Sequence, residues 1–252
     1  MNVLISGING FMGQELVKLV NANEQTTLIG GVDVNDENKN GVAVAKGFEN
    51  APAVFKNEKI DVIIDFSHHT VAPALMTYAL EIGASVIVAT TGHTDEEKQI
   101  IKDASKSIPV FYSANMSLGV ALLVALAKKT ASAFPDAEIE IVESHHDRKL
   151  DAPSGTALMI ADAICSVRPS AFTVCGRSGS GKRTKQEIGI HALRLGNIVG
   201  IHEVIVNTGT QAITLKHEAY TRALFAEGAV SACIYMQGKT AGLYDMSSMV
   251  QD

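Results

Sequence analysis

Seven residues near the start of this chain restrict its fold more than any other feature. Gly7-Ile8-Asn9-Gly10-Phe11-Met12-Gly13 follows at once on the apolar run Val3-Leu4-Ile5, and residues 14–20 then carry apolar side chains at helical spacing. A strand that turns through glycines straight into a helix fits the opening of a dinucleotide-binding βαβ unit, although glycines also serve any tight turn. Glycine tightens such a turn, lets backbone approach a pyrophosphate with no Cβ in the way, and aims helix N–H groups at its charge. Asn9 departs from the usual G-x-G-x-x-G spacing, mildly, because Asn tolerates positive φ better than most residues.

The next apolar run, 27–32, ends in Asp33, 20 residues beyond Gly13, where a Rossmann fold places the acid that binds the adenosine ribose hydroxyls. Val34 follows, with no Arg to receive a 2′-phosphate, so the sequence leans towards NADH or dual use of NADH and NADPH, although Lys39 and Lys46 remain within reach. Runs of buried-strand character at 60–66, 84–89 and 108–112 alternate with helical patterns at 71–82 and 95–104, which predicts a parallel sheet. Ligands on such sheets bind beyond the carboxyl ends of the strands. Phe66 and Ser67, Thr90-Thr91-Gly92, and Ser113, Asn115 and Met116 stand at those ends, where a nicotinamide would lie. As a set with Gly7, Asn9, Gly10, Phe11, Met12, Gly13 and Asp33 they are the expected cofactor residues, though Thr-Thr-Gly and Ser-Ala-Asn also serve as ordinary caps and turns.

The bulk composition excludes several partners. Lys and Arg number 21 against 27 Asp and Glu, and a net charge of -6 gives no basic footprint for nucleic acid. An anionic substrate therefore needs a local cationic pocket. Cys165, Cys175 and Cys233 show no C-x-x-C spacing and read as reduced thiols. No basic leader and no apolar stretch of membrane-spanning length are visible, so a cytoplasmic protein with no membrane partner is expected.

The cationic pocket is offered by the second half. Residues 138–144 suggest a strand that delivers His145 and His146, of which strand alternation lets only one face a given site. Beyond Asp147-Arg148-Lys149-Leu150, either Asp151 or Ser154 can cap a helix that follows. Near a helix start the N–H groups of Gly155 and Thr156 attract a carboxylate, Lys149 neutralises it, and an imidazole supplies an acid of the kind that titrates near neutrality. Zinc is a rival use of His68-His69 and His145-His146-Asp147, but adjacent histidines chelate poorly from one strand and no H-E-x-x-H or spaced Cys pair accompanies them; no metal is expected.

The segment His145-His146-Asp147-Arg148-Lys149-Leu150-Asp151-Ala152-Pro153-Ser154-Gly155-Thr156-Ala157 resembles the signature of the 4-hydroxy-tetrahydrodipicolinate (dihydrodipicolinate) reductase family. The resemblance extends over the chain through the glycine turn, Asp65-Phe66-Ser67, Thr90-Thr91-Gly92, Ser113-Ala114-Asn115-Met116, Ile188-Gly189-Ile190-His191 and Gly242-Leu243-Tyr244-Asp245-Met246. It implies reduction, by NADH or NADPH, of a small dicarboxylate in the diaminopimelate route to lysine. It implies an α/β fold in which an N-terminal Rossmann domain, 1–117 and 222–252, is joined to a second α+β domain, 118–221, built on a mixed sheet and responsible for a homotetramer. Carried over by position, His145 would be the proton donor, Lys149 its partner and a substrate ligand, and His146, Gly155, Thr156 and Arg222 would hold the substrate carboxylates.

Two positions depart from the family pattern. Ile201 in Val199-Gly200-Ile201-His202 replaces a common acid, and Val34 replaces a basic residue frequent in NADPH-leaning members. The basic, glycine-rich stretch 176–185 lacks phosphate-loop spacing and reads as a mobile loop that closes over substrate. A semialdehyde dehydrogenase would need a nucleophilic Cys with a partner base, and a dinucleotide-sensing regulator would need a recognition helix or basic face; neither is apparent.

Overall fold

The computed structural model describes residues 1–251 and divides into two compact units: Met1–Ser117 with the chain from Ala223 onward, and Leu118–Arg222. Arg222 thus closes the second unit, one residue beyond the expected boundary.

The first unit begins β1 (Asn2–Ser6), α1 (Phe11–Ala22), β2 (Thr27–Asp33), β3 (Ala43–Lys46) and the short α2 (Ala51–Val54). It continues β4 (Val62–Asp65), a 3-10 turn (His69–Val71), α3 (Ala72–Ile82), β5 (Ser85–Val88), α4 (Asp95–Ala104) and β6 (Pro109–Tyr112). The strands form one parallel sheet in the order β12-β6-β5-β4-β1-β2-β3, whose last member, β12 (Gly242–Tyr244), comes from the returning segment with α7 (Ala223–Tyr235) and α8 (Met246–Gln251). Val62, Ile63, Ile64, Val86, Ile87 and Val88 are all fully buried, as central strands covered on both faces require, and this is why their sequence runs are apolar without alternation. Strand order reverses at β1, so the crevice between the ends of β1 and β4 is the topological switch point.

The second unit contains α5 (Leu118–Ala133), β7 (Glu138–His145), α6 (Gly155–Cys165), β8 (Phe172–Cys175), β9 (Glu187–Arg194), β10 (Gly200–Asn207) and β11 (Ala212–Ala219). Its mixed sheet runs β11-β10-β7-β9-β8, antiparallel at β11-β10 and β10-β7 and parallel elsewhere. Helices α5 and α6 pack together on a core of Leu123, Ala127, Ile139, Ile141, Ile160, Ile188, Ile190, Val204 and Val206. Buried Arg168 donates to the carbonyls of Ala131, Phe134 and Ala137 and so satisfies the otherwise orphaned end of α5. Along β7 the core residues alternate with Glu140 and Val142, which belong to the opposite face. Among the described residues no helix is long and apolar enough to cross a membrane.

Candidate active site

In the first unit the turn after β1 folds because Gly7 takes φ 79°, and a Cβ there would stand 2.5 Å from the Phe66 carbonyl oxygen. Gly7 N–H donates to Val32 O at 2.8 Å, which ties the turn to β2. The backbone N–H groups of Asn9 and Val34 donate to the two oxygens of Asp33 at 2.9 and 2.8 Å, leaving each oxygen a lone pair for a ribose hydroxyl. Among the described residues only glycines have positive φ, so Asn9 does not use the left-handed tolerance invoked for it. Its amide instead donates to Asn35 Oδ1 and Glu37 O, while its Oδ1 is buried without a partner.

These groups open on a pocket of about 560 Å³ lined in part by Gly7, Asn9, Gly10, Asp33, Phe66 and Ser67. Glycine backbone, the carboxylate of Asp33 and an orphaned amide oxygen are donors and acceptors that fit a dinucleotide. Phe11, Met12, Gly13, Thr90, Thr91, Gly92, Ser113, Asn115 and Met116 lie outside that lining. Phe11 is exposed, Gly13 is buried on α1, and Met116 is a core side chain only 2% exposed. Thr90 lies behind Ser67, accepting its N–H at 2.9 Å, while Ser67 Oγ donates to Asp65; burial pushes the Asp65 carboxyl up against these bonds. Ser113 Oγ donates to Asn115 O and Asn115 Oδ1 accepts from Ser117 N, closing the turn after β6, and Gly92 turns the β5 loop at φ 85° with Thr91 exposed beside it. Lys39 lines the pocket and pairs with Glu37 at 3.1 Å, whereas Lys46 lies in β3 beside Asp33.

In the second unit β7 ends at His145, so His146 sits in the turn beyond it and strand alternation does not decide between the two. His145 is 9% exposed, and its Nδ1 lies 2.6 Å from Glu143 Oε2. A Cβ at position 200 would come within 3.1 Å of Nε2, so glycine there keeps a side chain off the far edge of the ring. Ser154, not Asp151, caps α6, accepting from Ala157 N at 3.2 Å, and its Oγ lies 3.0 Å from His202 Nε2. Burial first, then the charge of His145, pushes His202 down to about 4, and the two rings meet edge to face at 5.2 Å.

Lys149 pairs with Asp151 at 2.8 Å rather than with His145. His146 has a buried Nδ1 without a partner, and burial, followed by Arg148, Arg222, His145 and Lys149, lowers its affinity for a proton. Those cations are the local positive field that an anionic substrate needs in a chain of net negative charge. Gly155 opens α6 with nothing near its Cβ position, and Thr156 follows it in the first turn. Sequence reasoning missed Glu143, Arg194, His202 and Gly200. Glu143 carried a usable signal, because it lies two residues before His145 on the same strand and so on the same face. Around 176–185, Arg177 pairs with Glu187, and Arg183 with Glu140 at 3.1 Å, tying the far end of that loop to the sheet. No group of three or more His, Cys, Asp and Glu among the described residues is placed to hold a metal ion.

A parallel dinucleotide-binding sheet, joined in one chain to a mixed-sheet unit bearing a histidine among cations, defines a nicotinamide-dependent oxidoreductase of the two-domain type. Residues 1–116 match the model described as dihydrodipicolinate reductase, N-terminus, and residues 119–250 that described as dihydrodipicolinate reductase, C-terminus. The chain belongs to that family, and its activity is that of a 4-hydroxy-tetrahydrodipicolinate reductase, an oxidoreductase of lysine and diaminopimelate biosynthesis. It is 42% identical to 4-hydroxy-tetrahydrodipicolinate reductase of Caldanaerobacter subterraneus subsp. tengcongensis, over 100% of this chain and 98% of the relative. The Clostridium novyi reductase is 40% identical over 99% and 98% of the two chains. Among solved structures, dipicolinate-bound dihydrodipicolinate reductase from Paenisporosarcina sp. TG-14 superposes with a TM-score of 0.80 at 28% identity, covering 97% of each chain.

Proposed function

We propose that the second unit binds the dicarboxylate substrate and that His145 protonates it during reduction. The observation that carries this reading is the disposition of the ring, with Nδ1 committed to a buried carboxylate and Nε2 kept clear of any side chain at position 200 by its glycine. When bound, the reduced nicotinamide supplies the hydride. The negative charge that a hydride leaves on a conjugated substrate is neutralised by the proton on Nε2. Lys149, His146, Arg222 and the first-turn backbone of Gly155 and Thr156 hold the carboxylates, a role supported by the cationic field around His146 and by the helix N-terminus. The relative from Paenisporosarcina, solved with dipicolinate, supports a planar dicarboxylate as the ligand class.

The pocket of the first unit is read as the site of NADH, with NADPH used no better. Val34 is 82% exposed and uncharged, Asp33 would repel a 2′-phosphate, and Lys39 is already paired with Glu37. A homotetramer formed by the sheet face opposite α5 and α6 is supported by the half-buried apolar side chains Val142, Ile201 and Ile205 there. Reduced thiols and a nicotinamide-dependent biosynthetic role favour the cytoplasm.

The direct test replaces the donor. His145→Ala lowers kcat by about 10²-fold to 10⁴-fold while NADH affinity, measured by titration calorimetry, stays as in the parent. An unaltered kcat would remove His145 from the chemistry.

A further inference from the structure

We propose that Glu143 is a positioning residue for proton delivery: clamped by Arg194, it fixes His145 so that the ring presents Nε2 and holds positive charge until the proton leaves. The proposal rests on His145 being the donor.

Glu143 is 0% exposed, and its two oxygens accept four bonds. Oε2 takes His145 Nδ1 at 2.6 Å and Arg194 Nη1 at 2.8 Å, while Oε1 takes Arg194 Nη2 at 2.8 Å and Ser154 N–H at 2.9 Å. That number saturates a carboxylate. Arg194 reaches it because β7 and β9 run parallel with His145 opposite Arg194 in register. Burial alone would push the Glu143 carboxyl up, but Arg194, His145 and the Ser154 N–H hold it below its usual range. An ionised carboxylate only accepts, so the hydrogen of the 2.6 Å contact is on Nδ1. A purely structural ion pair is complete with the guanidinium fork and the helix start; the third partner, the imidazole, is what a positioning role requires.

In the step itself the Nε2–H bond breaks and a bond from that proton to the substrate anion forms. The ring is left neutral with its hydrogen on Nδ1, and Glu143 keeps its charge throughout. The other charged or titratable groups that face His145 are His202 on β10, His146 and, opposite it on β9, Arg194. Behind His202 stand His217 on β11 and Lys149, and around His146 stand Arg148, Lys149 and Arg222, with Asp151 paired to Lys149. His202, pushed down to about 4, stays neutral across the range in which an ordinary imidazole titrates.

Glu143→Gln tests this by its pH profile. Loss of the carboxylate charge should lower kcat by about 10-fold to 100-fold and move the descent of kcat with rising pH downward by about one unit, with KM and NADH affinity little changed. A descent at the parent's pH, or a loss equal at every pH, would overturn the positioning role. His145→Ala, measured alongside, separates the two readings: if that variant turns over normally the donor assignment fails, and if it is inactive while Glu143→Gln keeps the parent's profile only the positioning role fails. Should Glu143→Gln not fold, nitrogen NMR of the unmodified protein decides. At high pH, where the ring has given up one proton, the remaining hydrogen is expected on Nδ1, and a neutral ring protonated on Nε2 alone would overturn the proposal.

Discussion

One methyl group at residue 7 is a severe perturbation of the nucleotide turn. A side chain at φ 79° is strained, and its Cβ would meet the Phe66 carbonyl oxygen at 2.5 Å, so backbone must move. Gly7→Ala is therefore expected to weaken NADH by about 10-fold or more, since about 1.4 kcal/mol of displaced backbone contact suffices. Calorimetry checks it, and undiminished affinity would place the dinucleotide elsewhere. Lys149→Ala makes the complementary prediction for the substrate. Its ammonium, now shared with Asp151, is assigned to a carboxylate, so KM for the dicarboxylate should rise by about 10-fold with a smaller effect on kcat. Unchanged KM and kcat would remove Lys149 from the site.

At the scale of elements, two helix caps with similar geometry should behave differently. Thr94 caps α4 in a reciprocal pair with Glu97, and Ser154 caps α6 while also meeting His202. Thr94→Ala and Ser154→Ala should each cost about 1 kcal/mol in denaturant unfolding, but only the second should depress kcat. Equal kcat in both would detach α6 from the chemistry. The elements of the first unit were largely legible, because parallel strands buried on both faces leave unbroken apolar runs: β4, β5 and β6 fall inside the expected 60–66, 84–89 and 108–112. The four-residue β3, Ala-Val-Ala-Lys, and the three-residue β12 escaped notice, being too short and ordinary in composition to mark a strand outside its sheet. The long motif from His145 to Ala157 named the residues of the candidate site but not their wiring. Glu143 and Arg194 lie 51 residues apart, and only the pairing of β7 with β9 brings them together.

For the whole molecule, a buried histidine contributes to the response to acid. His202 titrates at about 4 when folded and near 6.5 when unfolded, so between those values the unfolded chain binds the extra proton. Stability is full above about 6.5 and declines as pH falls towards 4, by about 3 kcal/mol for this residue at the most. Chemical denaturation at several pH values should show that decline, and His202→Asn should flatten it; an unaltered slope would show that His202 is not held neutral. Light scattering in solution should find four chains, and a monomer at working concentration would contradict the assembly proposed for the second sheet. The most direct test of the account as a whole is oxidation of NADH and of NADPH with substrate formed in situ from pyruvate and aspartate semialdehyde. Oxidation that depends on that substrate is expected, with NADH at least as effective as NADPH. Oxidation of neither by folded protein that binds dinucleotide would contradict it.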